Sequence, residues 1–113
     1  MKKVFISQPM SGHSASEILF ERERALKMAE KILHENLTLI DTYFPDEYEK
    51  GINVQDKVIR AIIDADVVVF ARLAAFASGC QFEQSVAERL EKPTIQLGNN
   101  GVTILTNVYT EEE

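Results

Sequence analysis

Two segments of this chain carry side chains with which chemistry can be done. The first runs Ser7-Gln8-Pro9-Met10-Ser11-Gly12-His13-Ser14. It offers three hydroxyls, an imidazole and the free backbone of Gly12 just before a stretch that reads as a helix, whose unsatisfied N–H groups favour anions. It is neither G-x-x-x-x-G-K-[ST] nor G-x-G-x-x-G, so triphosphate and dinucleotide cradles lack their residues. The second segment, Arg72 to Glu83 (RLAAFASGCQFE), places Glu83 about one turn into a helix that begins near Gly79. A carboxylate there can attack a sugar carbon or act as a general base, provided that its neighbours hold its charge and geometry. The same residue also simply complements a helix dipole. Cys80 lies at the same helix start, where a thiol pKa can fall and yield a reactive thiolate. His13, with no partner in the sequence, reads as an exposed loop residue rather than a base. No His or Cys spacing of metal-site type occurs, and neither a metal nor an organic cofactor is expected.

These residues need strands and helices to position them. Val4-Phe5-Ile6 is an apolar run closed by Gln8-Pro9, as in a buried strand that ends in a turn. Ser14 with Glu17 three residues later matches a capping box, and Ile18, Ala25, Ala29 and Ile32, joined by Leu26 and Leu33, recur at helical spacing. Glu21, Arg22, Glu23, Arg24, Lys27, Glu30 and Lys31 are assigned to the solvated face of that helix. Leu37 to Ile40 predicts a second strand, and Asp41 to Gly51 an aromatic and acidic loop. Val54, Val58, Ala61, Ile62 and Ala65 predict a second helix from about Asn53 to Asp64. Val67 to Ala71 is an unbroken apolar run, the mark of a strand covered on both faces. A third helix, Gly79 to Glu91, has Phe82, Val86 and Leu90 on one face. Thr94 to Leu97 gives a fourth strand. Beyond the turn signal Asn99-Asn100-Gly101, Val102 to Tyr109 reads as a short fifth strand or an extended tail, and Glu111 to Glu113 as frayed. Asp64 and Asp66, at the entry of the third strand, read as boundary and cap residues.

Alternating strands and helices imply an α/β fold: one doubly wound parallel sheet of four or five strands, with helices on both faces and right-handed crossovers. Ligands bind such sheets beyond the carboxyl ends of the strands, where the strand order reverses. That rule nominates the loops Gln8 to Ser14, Asp41 to Gly51 and Arg72 to Gly79.

Composition narrows the function classes. With 113 residues there is room for one domain. Eighteen acidic residues against twelve basic ones give a formal net charge of -6, which repels nucleic acids and anionic membranes. A single cysteine rules out an intramolecular disulfide, and the short apolar run after Lys2-Lys3 is too brief for a signal peptide or a membrane span, so a cytoplasmic protein is expected.

Two stretches acquire more meaning together. ISQPMSG (Ile6 to Gly12), followed by a charged amphipathic helix, and ADVVVFA…SGCQFE (Ala65 to Glu83), followed by EKPTIQL, resemble the nucleoside 2-deoxyribosyltransferase-like superfamily. The likeness extends over nearly the whole chain. It is strongest to a small bacterial and phage branch that opens with I-S-x-P-M-[ST]-G. The resemblance implies a flavodoxin-like sheet, a nucleoside or nucleotide substrate, and Glu83 as the nucleophile that attacks C1′ and displaces the base. Transfer to another base or hydrolysis then resolves the glycosyl-enzyme. It further implies that Gly79 gives the backbone close approach to the sugar and that Ser78 stands beside it. Ser7, Gln8, Pro9, Met10, Ser11 and Gly12 would line the sugar or a phosphate, Tyr43 and Phe44 would stack on the base, and a homodimer would complete the site.

The chain also departs from the superfamily. Val58 occupies the position of an aspartate of characterised members, with Asp56 and Asp46 the nearest acidic residues. Gln81 and Gln8 stand where glycine is common. Met10 and Ala77 replace the arginine and serine that hold a 5′-phosphate in related nucleotide hydrolases. These departures leave a non-catalytic nucleoside-binding module, or a mere interaction scaffold, as alternatives to the enzyme. A receiver domain is disfavoured because the third strand ends Phe70-Ala71-Arg72 and has no aspartate there. A flavodoxin would need a longer phosphate loop.

Overall fold

A computed structural model describes residues 1–43, 54–98 and 102–108. Phe44, Asp46, the turn at Asn99 to Gly101 and the tail from Tyr109 onward lie outside the described residues.

Strand β1 (Lys2–Ser7) is buried from Val4 to Ser7. Its pleat sends Val4 and Ile6 into one layer and Phe5 into the other, because side chains alternate across a strand. Helix α1 (Ala15–Leu33) starts as the sequence indicates. Ser14 Oγ accepts the Glu17 N–H at 3.2 Å, and Glu17 Oε1 accepts the Ser14 N–H at 2.8 Å. This reciprocal cap fixes where the opening loop ends. Strand β2 (Leu37–Leu39), helix α2 (Gln55–Asp64), strand β3 (Val67–Phe70), a 3-10 turn at Ala74–Phe76, helix α3 (Ser78–Arg89), and strands β4 (Thr94–Leu97) and β5 (Thr103–Thr106) follow.

The sheet has the order β2-β1-β3-β4-β5. The first four strands are parallel, and β5 runs antiparallel to β4. The expectation of a wholly parallel sheet therefore fails at the last strand. Parallel neighbours need a crossover of a dozen or more residues, which α1, α2 and α3 supply, whereas the few residues between Leu97 and Thr103 only allow the chain to fold back. Helix α1 covers one face through Ala25 and Ala29 against Val4, Ile6, Val67, Val69 and Ile95. Helices α2 and α3 cover the other through Val58, Ile62, Cys80 and Ala87 against Phe5, Val68 and Phe70. Strand β3 is buried along its whole length, as its unbroken apolar run requires.

Two assigned helix faces need correction. In α3 the inward residues are Cys80 and Ala87, whereas Phe82 and Leu90 are exposed; the sheet accepts the small side chains and leaves the large ones outside. In α1, Arg22 is not on the solvated face but is buried in line with Ile18, Ala25 and Ala29.

Candidate active-site cleft at the ends of β1 and β3

Strands β1 and β3 are neighbours with Ser7 in register with Phe70. The chain leaves β1 toward β2 on one side, while β3 lies on the other, so the loops after these two strands diverge and leave a crevice. A cleft of about 920 Å³ occupies it. Of the residues singled out in the sequence, Gln8, Pro9, Met10, Ser11, Tyr43, Ser78, Gly79 and Glu83 line this cleft. Ser7 sits just behind the wall, 1% exposed, and donates its hydroxyl to Glu83 Oε1 at 2.5 Å. Gly12 does not line the cleft. It holds a φ of +82° in the turn closed by the His13 N–H donating to the Met10 carbonyl, where a side chain would be strained. Phe44 lies outside the described residues.

Glu83 is half-buried. Burial raises its pKa above the ordinary value of 4.5, while the Ser7 hydrogen bond and the positive charge of Arg22 pull it back. A carboxylate stripped of part of its water is a better base and nucleophile than a solvated one, provided that some group still favours its charge. Cys80 lines the same wall, but its thiol is pushed up to about 11, chiefly by burial; the Ser7 hydrogen bond opposes this and the Glu83 charge adds to it. The reactive thiolate considered from its helix-start position is therefore overturned: at neutral pH Cys80 is a thiol.

The start of α3 is bare. Its N-cap is Ala77, which offers no side-chain hydrogen bond, so the first-turn N–H groups beside Ser78 and Gly79 are left to whatever enters the cleft. A Cβ added at Gly79 would meet nothing within 4 Å. On the opposite rim Leu73 adopts a φ of 67°, a left-handed conformation that costs a non-glycine residue about 1–2 kcal/mol. Leu73, Phe76 and Ile18 give the cleft an apolar flank that the sequence did not reveal.

Arg22 is the other residue not foreseen. It is 3% exposed, its Nε donates to Gln8 Oε1 at 2.8 Å, and its Nη1 lies 3.7 Å from Asp41 Oδ1. Gln8, itself 5% exposed, donates from Nε2 to the Ile18 carbonyl at 2.9 Å. The sequence did hold a signal: Arg22 falls four residues after Ile18 and three before Ala25, on the buried stripe.

Arg72 does not enter the cleft. Its Nη2 and Nε reach Glu21 Oε1 and Oε2 at 3.2 and 3.3 Å, in a smaller groove of about 260 Å³ that it shares with the exposed His13. Val58 is 6% exposed and packs in the core, so no acid stands at that position. Asp56 is an exposed residue in the first turn of α2. Asp66 Oδ2 accepts the Lys3 N–H at the entry of β3, in keeping with a boundary residue. Among the described residues no three His, Cys, Asp or Glu side chains are grouped to hold a metal ion, and no helix is long and apolar enough to cross a membrane.

No model of a known protein family, no curated protein and no solved structure matches this chain.

Proposed function

We propose that the protein cleaves or transfers the N-glycosidic bond of a nucleoside or nucleotide, with Glu83 as nucleophile. The observation that carries this reading is a half-buried carboxylate facing a large cleft, hydrogen-bonded by Ser7, one turn after a helix start whose backbone is open at Gly79. In the first step a Glu83 oxygen forms a bond to C1′ and the C1′–N bond breaks. The bonding pair leaves with the base, which takes a proton from water or from an acid. Water or a second base then displaces Glu83 from C1′. Tyr43 and the apolar flank supply faces for the base, and the opening loop holds the sugar.

Several features support placing the chain in the nucleoside 2-deoxyribosyltransferase-like superfamily: the I-S-x-P-M-[ST]-G opening, the G-x-x-x-E spacing, and a four-strand parallel order of flavodoxin type with helices on both faces. The buried Val58, in place of an aspartate, favours a second reading, a nucleoside-binding module without turnover. The proposal includes a homodimer in which the exposed Phe76 and Phe82 beside the cleft meet a second copy, and the lone thiol suits a reducing cytoplasm. Incubation with a panel of nucleosides and nucleoside monophosphates, followed by chromatography for free base, tests the enzyme. Base release that disappears in Glu83→Gln supports it. Binding without release supports the module, and neither leaves the scaffold.

A further inference from the structure

The main cleft carries charge of one sign. Among the described residues that line it, Glu83 is the only side chain of a type that ionises at neutral pH, and neither Lys, Arg nor His is among them. His13 and Arg72 border the adjoining groove, where Arg72 is paired with Glu21. Arg22 does not line the cleft either: its Nε donates to Gln8 Oε1 and its Nη1 is ion-paired with Asp41. Much of the remaining wall is apolar, with Ile18, Leu73, Phe76 and Ala77 on it, and a carboxylate beside such a surface is screened less than in bulk water. With a formal net charge of -6 on the whole chain, cations are drawn in and anions kept out.

The same wall is short of acids. When a neutral nucleoside loses its base, the bonding pair leaves the departing nitrogen anionic unless a proton arrives. Glu83 cannot supply that proton while it bonds to C1′. Besides Glu83, the described lining offers hydroxyls, the Tyr43 phenol and the Cys80 thiol, which burial pushes up to about 11, and such groups hold their protons at neutral pH. A base that is already cationic needs no proton. We propose that the cleft takes a nucleoside whose base is a flat aromatic cation, a glycosylated pyridinium or an N-alkylated purine, with Glu83 as its counter-charge and Tyr43 and Phe76 as ring faces for it. This rests on the reading of Glu83 as nucleophile, and it names the substrate class. A Glu83 oxygen bonds to C1′ and the C1′–N pair passes to the positive nitrogen, so the base departs neutral. Water then bonds to C1′, gives up one proton to solvent and releases Glu83 as the carboxylate.

The test separates charge from turnover. Carbocyclic nicotinamide riboside is a cation, carbocyclic benzamide riboside is its neutral counterpart of the same shape, and both resist cleavage at C1′. Calorimetry on the full chain at neutral pH should find the cation bound about tenfold or more tightly than the neutral analogue, with the preference lost in Glu83→Gln. Equal affinities, no binding of the cation, or a preference that survives in Glu83→Gln overturns the proposal. Should Glu83→Gln not fold, a pH series gives the same answer, because neither analogue titrates. The groups about Glu83 are Ser7 on β1, Cys80 on its own helix and Arg22 on α1, none of which changes charge between neutral pH and the carboxyl range; the series is run in Asp41→Asn as well, to remove the carboxylate paired with Arg22. In both proteins the preference must fade as Glu83 takes up its proton, and a preference unchanged down to acid pH overturns the proposal equally. Chromatography then follows free base from nicotinamide riboside and from N7-methylguanosine, and release from one of them identifies which cation is the substrate. Release from neutral nucleosides alone overturns this proposal and spares the enzyme, whereas no release from any nucleoside defeats the enzymatic reading and leaves a measured preference for the cation standing.

Discussion

Gly79 separates the needs of the fold from those of a ligand. In the first turn of α3 a glycine is a poor choice for stability: it leaves more backbone freedom in the unfolded chain than alanine does. Since a Cβ at this position meets nothing within 4 Å, Gly79→Ala brings no clash and should stabilise the protein by about 0.4–1 kcal/mol. At about 2.1 cal/mol/K of unfolding entropy per residue over 113 residues, that gain raises Tm by about 2–4 °C. Gly79 lines the same cleft as Glu83, and the proposal reserves that space for the sugar. Shifting a reacting carbon by about an ångström costs on the order of a hundredfold in rate. The expected outcome is thus a variant that melts higher and has a kcat/KM for base release lower by one to two orders of magnitude. Thermal unfolding and a free-base assay on one preparation give both numbers. A lower Tm would mean that the space at Gly79 is not open, and unchanged turnover in an active protein would mean that nothing approaches the backbone there.

The rise in Glu83 pKa has a definite sign. The folded state holds this proton more tightly than the unfolded state, so ionising Glu83 costs stability as pH climbs from the unfolded value through the folded one. Denaturant unfolding should therefore show Glu83→Gln gaining stability relative to wild type at neutral pH, with the difference vanishing below the ordinary carboxyl value; a gain largest in acid would reverse the reasoning. Cys80, with its thiol at about 11, should resist iodoacetamide at neutral pH and react only in strong alkali or on unfolding, whereas rapid neutral alkylation would contradict its burial. Light scattering should give about twice the 12.8 kDa of one chain and a single-chain mass for Phe76→Ser; a single-chain mass for the unaltered protein rejects the dimer. Because Arg72 is held by Glu21 outside the cleft, calorimetry should find a nucleoside binding at least as well as its 5′-monophosphate. A tenfold preference for the monophosphate that is lost in Arg72→Ala would show that this arginine moves inward.

Local patterns made most of the fold legible. The Ser14 to Glu17 box, the apolar run of β3 and the Pro93-bounded β4 each state their element in a few residues, and β4 emerges with the bounds Thr94–Leu97. The direction of β5 was not legible, since strand sense depends on the length and path of the connection rather than on TILT itself. The loops that carry the cleft were also legible, because the carboxyl-end rule depends only on element order. Arg22 was misread for a specific reason. Its residue type points to solvent while its position points to the core, and a charged residue on a buried helical stripe is the informative exception. The stripe of α3 was misread the opposite way: Phe82 and Leu90 are large and apolar, but the sheet faces the small Cys80 and Ala87. Leu73 and Phe76 lie in the nominated loop Arg72 to Gly79, but their place on the apolar flank was not legible, since it depends on the 3-10 turn that brings them round.

Where the chain breaks local rules also bears on whether the fold is only a scaffold. Helix α1 opens with a complete capping box, and α1, α2, β3 and β4 bury the faces that their patterns allow. Some exceptions lie elsewhere, since Val54 caps α2 without a side-chain bond and His34, Glu91 and Asn107 also hold left-handed backbone, but five of them lie around one cleft. Ala77 caps α3 without a side-chain bond, which forgoes about 1 kcal/mol relative to Ser, Thr, Asp or Asn. Leu73 holds a left-handed backbone, Gly79 weakens a helical turn, and Arg22 and Glu83 lose solvation on burial. All five surround or support a single cleft. Selection for stability alone removes such features one at a time, because each is independently correctable by a single substitution. Under the proposed function these five have a shared use, because a site that presents bare N–H groups, open space and a poised carboxylate needs all of them at once.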